Sequence, residues 1–333
     1  MIIKTKDEAK RLRLVLASLS RQTVPIVAPG SRVGSGDLAA ELIVVDDGSV
    51  DETPTLLDAR PEGLPLARVR LDPNRGRSAA ANAGAAAACG EVLIFLDGDT
   101  LAGPEMVEEH ARAHGRAARP FFGRGEHFNL RCTRFFDDPE TGTPRAGAEA
   151  QVRRMGAELA GNLVTREQVI ERFDEVARRA HAGLYPGVGP RTLFEVEWDA
   201  LVNHPGLPVL WMAASGHNSS LRRSDFEAAG GFDERLSINE HRELALRLQE
   251  SGVPVGPVPG ARTYHLTHRD GWRDPLADDS WERLFLAAHP RRDVELMTFF
   301  WRSLAADASI PERARLRTLP ELAAAAAASD ATG

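Results

Sequence analysis

Two carboxylates two residues apart close the apolar run 92–96. The segment FLDGDT, residues 95–100, sets Asp97 and Asp99 where a strand should end. Such a pair can present oxygens to one hard divalent cation, and an anionic diphosphate can share that ion. A solvated turn after a strand would use the same residues. A second acidic pair, Asp46 and Asp47, closes the apolar run 42–45. His110 and His114 have the i, i+4 spacing of a helical metal pair. They share a face with Met106 and Val107, so a packed helix is the better reading.

These residues need elements to position them. Residues 1–5 read as a short apolar strand, and 42–45 and 92–96 are short continuous apolar runs, the pattern of strands covered on both faces in a parallel sheet. Leu12, Val15, Leu16 and Leu19 recur at helical spacing, and a loop rich in Gly, Pro and Ser follows over 25–36. Residues 78–88 are nearly all alanine, which favours a helix that can lie close on a sheet. The resulting βαβαβ order predicts an α/β fold with ligands at the carboxyl ends of the strands, where both acidic pairs fall. Residues 117–210 read as an irregular insertion or lid with one helical patch at 167–179. Order resumes at 212–221 and in a helix over 238–249, and beyond Pro311 an Arg/Ala-rich helix should fray into a disordered end.

The chain has 333 residues, 43% hydrophobic and 27% charged, enough for one large or two ordinary folded domains. Lys and Arg total 41 against 48 Asp and Glu, net −7, which argues against a nucleic-acid backbone as the main partner and leaves room for a locally positive pocket. Cys89 and Cys132 make no disulfide framework and are expected as buried thiols in a reducing compartment. The charged start MIIKTKDEAKRLR does not read as a secretory signal, and no apolar run approaches the ~18 residues of a membrane span. A cytoplasmic protein without a transmembrane segment is the expectation; oligomeric state is not legible.

Taken in order, ELIVVDDGSVDETPTLL, then NRGRSAAANAGAAAACGEVLIFLDGD, then GHNSSLRRSDFEAAGGFDERLSINEHRELALRLQESG resemble the family-2 glycosyltransferases. The matching residues are Asp46, Asp47, Ser49, Asp51 and Thr53; Asn74 and Gly76; Asn82 and Gly84; Asp97 and Asp99; and Gly216 and Asn218. The likeness covers about residues 1–116 and 210–270. It implies a GT-A fold: a Rossmann-like, mostly parallel central sheet with helices on both faces, carrying an irregular or helical insertion and a C-terminal helical tail. On that scheme 1–116 binds the nucleotide-sugar, 117–210 shapes the acceptor site, 211–300 is the acceptor-side half, and 301–333 is the tail.

The resemblance also implies roles. Asp47 would accept a hydrogen bond from the nucleotide base in a pocket shared with Thr5 and Asn74, although Ser49 and Glu52 could also make a capping box there. Asp97 would face the ribose or the metal, and Asp99 would be the principal ligand of Mg²⁺ or Mn²⁺, which would draw charge from the departing diphosphate. A late histidine often completes such a site; ARTYHLTHRD offers His265, preferred, and His268, and residues three apart in a strand point to opposite faces unless the strand ends between them. The family usually carries Glu-Asp where this chain has Glu240 and His241, so either would be the catalytic base, with Glu240 slightly favoured. Ser237 and Glu240 could instead form a capping box, and Trp211 could stack on a sugar or pack in the core.

The expected activity is transfer of a sugar from a nucleoside-diphosphate sugar, UDP foremost, to a hydroxyl of a small-molecule or glycan acceptor, with inversion; a retaining mechanism stays open. A non-catalytic nucleotide-sugar binder is the alternative. A haloacid-dehalogenase-type phosphatase would use Asp97 as nucleophile, but it needs a later lysine, and no lysine follows Lys10.

Overall fold

Residues 42–45 and 93–96 are buried on every side chain because successive strand residues point to opposite faces of a sheet that is covered on both. Ile2, Ile43, Val45, Leu93 and Phe95 belong to one hydrophobic cluster, and Ile3, Leu42, Val44, Ile94 and Leu96 to the other. The computed structural model describes residues 1–34, 36–182, 193–268 and 279–330. Their strands, in chain order, are β1 (Ile2–Thr5), β2 (Ile26–Val27), β3 (Ala40–Asp47), β4 (Leu66–Leu71), β5 (Val92–Asp97), β6 (Thr100–Ala102), β7 (Phe122–Asn129), β8 (Phe136–Asp138), β9 (Thr143–Pro144), β10 (His181–Ala182), β11 (Asn218–Arg222) and β12 (Val255–His265).

The central sheet has the hydrogen-bonded order β2-β3-β1-β5-β11-β7-β12-β6, with β4 also on β3 and β10 on β7. β1, β3, β4 and β5 are mutually parallel, β7 and β12 are parallel, and β11 runs antiparallel between β5 and β7. The carboxyl ends of β1, β3, β5, β7 and β12 and the start of β11 therefore share one edge. The chain leaves β1 for β3 and β4 on one side and returns to β5 on the other, which makes that edge a topological switch point. This is the α/β sheet that the sequence predicts.

Two close approaches fix where helices and strands lie. The helix Arg77–Ala87 packs so tightly on the sheet that a Cβ at Gly84 would stand 2.4 Å from Ile2 Cγ2, which is why the alanine run ends its Asn-x-Gly motif with glycine. Strand β7 lies inside the segment expected to be irregular, yet it occupies the middle of the sheet. Its sequence, FGRGEHFN, hides the strand because a Cβ at Gly125 would meet the Asn218 side chain at 2.4 Å and Ala261 O at 2.5 Å. The helical patch is present as Arg166–Glu171 and Phe173–Ala177.

The C-terminal helices Ser280–Ala288, Arg292–Leu304 and Leu319–Asp330 join the first cluster through Trp281, Phe285, Trp301, Leu319 and Leu322. Trp211 is fully buried against them, its Nε1 donating to Asp293 Oδ2 at 3.0 Å, so it packs and stacks on no sugar. Cys89, expected to be buried, is exposed because the helix before it ends at Ala87 and the chain turns outward; Cys132 is half-buried, and both are free thiols. The expected disordered end lies outside the described residues. Among those described, no helix is long and apolar enough to cross a membrane.

Candidate active site

The strand ends open into a cleft of two connected chambers. The first, about 350 Å³, is lined by Thr5 at the end of β1, Asp47 at the end of β3, Asp97 at the end of β5, and Asn74, Gly76 and Arg77 at the entry of the alanine-rich helix. The Asp47 carboxylate is held by its neighbours: Oδ1 accepts from Arg75 N at 2.7 Å, and Oδ2 from Asn74 Nδ2 at 2.6 Å and Gly76 N at 2.9 Å. That leaves about one of its four acceptor sites for a ligand. Thr5 is 5% exposed, and its buried hydroxyl has no hydrogen-bond partner. Asp46 is fully buried and structural, accepting from Ser49 N at 2.9 Å and Arg70 Nη1 at 2.6 Å. The Ser49–Glu52 capping box does not form; the Ser49 hydroxyl instead accepts from Asp7 N at 3.0 Å.

The second chamber, about 190 Å³, shares Lys4, Arg77, Asp97 and Asp99 with the first and continues to Glu240, His241, His265 and His268. Asp99, His265 and His268 bring one ligand atom each within 4.8 Å of one another. His268 Nε2 lies 2.9 Å from Asp99 Oδ2 and His265 Nε2 lies 3.5 Å from it. Both histidines reach the aspartate because β12 ends at His265, so His268 is past the strand and free of its alternation. Burial alone would raise the Asp99 pKa, but the two rings outweigh it and hold the carboxyl well below the usual range. Asp97, expected as a further ligand, stands outside this cluster: its Oδ1 is bound by Lys4, whose ammonium also donates to Gly216 O at 2.8 Å. One carboxylate and two imidazoles fit a divalent transition ion such as Mn²⁺ better than Mg²⁺, which prefers oxygen alone.

Glu240 and His241 open the helix Glu240–Glu250. Asn239, in the left-handed region at φ 63°, takes the cap position and no side-chain cap forms, so the Ser237–Glu240 box is absent and Glu240 is free for another role. Glu240 Oε1 lies 3.7 Å from His241 Nδ1 and 4.0 Å from Arg77 Nη1, while Oε2 has no partner. Burial raises the Glu240 pKa, but His241, Arg77 and Lys4 pull it down to about 2. His241 Nε2 sits 3.0 Å from Arg242 Nη1. Guanidinium nitrogens only donate, so Nε2 is the acceptor and the neutral ring carries its proton on Nδ1, toward Glu240.

Sequence reasoning missed Lys4, Arg77, Arg124, His127, Glu197 and His217 on these walls. Lys4 carried a signal, a cation inside a buried strand, which needs a partner; the others had none. His110 and His114 hold no metal cluster but a hydrogen-bond chain. The Asn218 amide donates to Ala261 O at 2.8 Å, so its Oδ1 accepts from His110 Nε2 at 2.8 Å. His110 Nδ1 then accepts from Ser220 Oγ at 2.7 Å, which in turn accepts from His114 Nε2 at 2.8 Å. Burial pushes both pKa values down to about 4, and the chain fixes both neutral tautomers.

Residues 1–129 match the model described as Glycosyl transferase family 2. Validoxylamine A glucosyltransferase of Streptomyces hygroscopicus subsp. jinggangensis is 28% identical over 261 residues, 77% of this chain and 52% of the relative. The uncharacterized glycosyltransferase YfnE of Bacillus subtilis is 33% identical over 114 residues, 34% of this chain and 26% of the relative. The chain thus spans about half or less of the length of these curated relatives. Among solved structures, S. aureus TarS superposes with TM-score 0.53 at 14% identity, covering 90% of this chain and 42% of that one. Its fragment 1–349 in complex with UDP-GlcNAc gives TM-score 0.51 at 14% identity, covering 90% and 71%. The match over residues 1–129 is thus to glycosyl transferase family 2, and the fold is that of the GT-A glycosyltransferases.

Proposed function

We propose that this chain moves a sugar from a nucleoside-diphosphate sugar, UDP foremost, to an acceptor hydroxyl with inversion at the anomeric carbon. One observation carries the reading: Thr5, Asp47, Asn74 and Asp97, the Asp99–His265–His268 cluster, and Glu240 line one continuous cleft at the switch point of the sheet. The unpartnered Thr5 hydroxyl and the remaining acceptor site of Asp47 suit the base and ribose. The complex of TarS with UDP-GlcNAc favours uridine over other bases.

Asp99, His265 and His268 would hold the divalent ion, which would supply Lewis-acid neutralisation of the diphosphate as it leaves. Lys4 and Arg77, on the wall common to both chambers, add positive charge beside the same group. Glu240 takes the proton from the acceptor hydroxyl, the oxygen forms its bond to the anomeric carbon, and the bond from that carbon to phosphate oxygen breaks. Glu240 is ionised, and its Oε2, which has no hydrogen-bond partner, is the oxygen that would receive the proton. His241, whose accepting nitrogen is occupied by Arg242, orients rather than abstracts.

The test is release of UDP from UDP-sugars, with water or a supplied hydroxyl as acceptor, with Mn²⁺ and after chelation. Turnover that chelation abolishes and Mn²⁺ restores supports the reading. Nucleotide binding without turnover on any donor leaves a binding protein, and turnover that ignores chelation removes the metal assignment.

A further inference from the structure

Glu197, from the helix Leu193–Asn203, lies between two guanidinium groups. Arg242 Nη2 donates to its Oε1 and Arg124 Nη2 to its Oε2, each at 2.8 Å. The three residues are 3%, 5% and 4% exposed in that order, and all line the inner wall of the second chamber. Arg242 places its other donors on Met212 O at 2.8 Å and Asn239 Oδ1 at 2.9 Å. Arg124 differs: neither Nε nor Nη1 has a hydrogen-bond partner, and its guanidinium rests on the Phe194 ring at 4.8 Å and the Trp198 ring at 5.8 Å. One carboxylate between two guanidinium groups leaves this buried network with an excess of one positive charge.

The surrounding anions are already engaged. Asp97 is held by Lys4, Asp99 by two histidines, and Glu240 faces His241 and Arg77. A buried cation without a counter-charge is costly, and a water molecule would satisfy the free N–H groups but not the charge. We propose that this wall is an anion subsite in which Arg124 binds the carboxylate of an acidic sugar. The inference rests on the glycosyltransferase reading and narrows its substrate class to uronic-acid-type sugars. A monoanion matches the single excess charge, whereas a phosphate dianion exceeds it. The carboxylate belongs either to the transferred sugar of the donor or to the acceptor.

The full chain with Mn²⁺ is titrated calorimetrically with UDP, UDP-glucose and UDP-glucuronate, and separately with glucuronate and glucose in the presence of UDP. A donor source gives UDP-glucuronate an advantage of about tenfold or more over UDP-glucose, the scale of one charge-assisted hydrogen bond. An acceptor source leaves the two donors equal and gives glucuronate the same advantage over glucose. Arg124→Met should erase whichever preference appears while the affinity for UDP stays constant, and Arg124→Lys should keep part of it. Equal affinity for acidic and neutral sugars in both arms overturns the subsite, and this comparison needs only the unaltered chain. Failure of UDP to bind overturns the donor assignment above; the arm with free sugars, run without UDP, still decides the subsite.

Discussion

The two chambers are built by different means. The first is made of short contiguous segments: Asp47 is bound by Asn74, Arg75 and Gly76, and Asp97 ends β5 with Asp99 just beyond it. The second is assembled from distant ones: Arg124 on β7, Glu197 in a helix of the supposed insertion, Arg242 from the helix near residue 240, and Trp301, whose ring lies 5.2 Å under the Arg242 guanidinium, from the C-terminal tail. A local loop that must cradle phosphate and cation tolerates few residue types, so it leaves a motif. A wall formed by tertiary packing needs only complementary charge where the pieces meet, and many sequences supply that.

The contrast is broken most directly at the shared wall. Asp99→Ala should lower transfer by at least ~10³-fold, since several kcal/mol of charge neutralisation goes with the cation, while thermal stability stays near that of the unaltered chain. Near-normal turnover would detach the acidic motif from the chemistry. Glu240→Gln should cost ~10²–10⁴-fold in the chemical step, whereas His241→Asn should cost about tenfold or less because its accepting nitrogen serves Arg242. Single-turnover rates of the pair decide it; a larger loss in His241→Asn would make the histidine the base.

Glu197→Ala examines the tertiary side. It strands two guanidinium groups in the interior, and loss of one partner from a buried ion network costs about 3–5 kcal/mol, so the midpoint of urea unfolding should fall sharply. A change under about 1 kcal/mol would mean that solvent reaches both arginines.

The same division explains what could be read before the fold was known. The strands over 42–45 and 92–96, the alanine-rich helix and the acidic pair were legible because each is written in contiguous residues. β7 was not, since its glycines answer to Asn218 and Ala261, residues that only the folded sheet brings near. Choosing between His265 and His268 rested on strand alternation, and the end of β12 at His265 removes the premise. Trp211 could not be assigned because Asp293 and Phe285, which bury it, come some 80 residues later.

The smallest effect concerns the chain behind the wall. His110 and His114 are neutral in the folded protein, with pKa values pushed from 6.5 to about 4 by burial. Between those values the unfolded chain binds more protons than the folded one, so stability rises with pH, is complete above about 6.5 and is lost as pH falls toward 4. At pH 5 each histidine should cost about 2 kcal/mol relative to pH 7. His127 and His217, also driven well below their ordinary range by burial, add to the same slope. His114→Gln isolates one step: its amide can still donate to Ser220, but it cannot titrate, so the slope of unfolding free energy from pH 7 to 5 should fall by close to one proton. An unchanged slope would mean that His114 takes up its proton without unfolding.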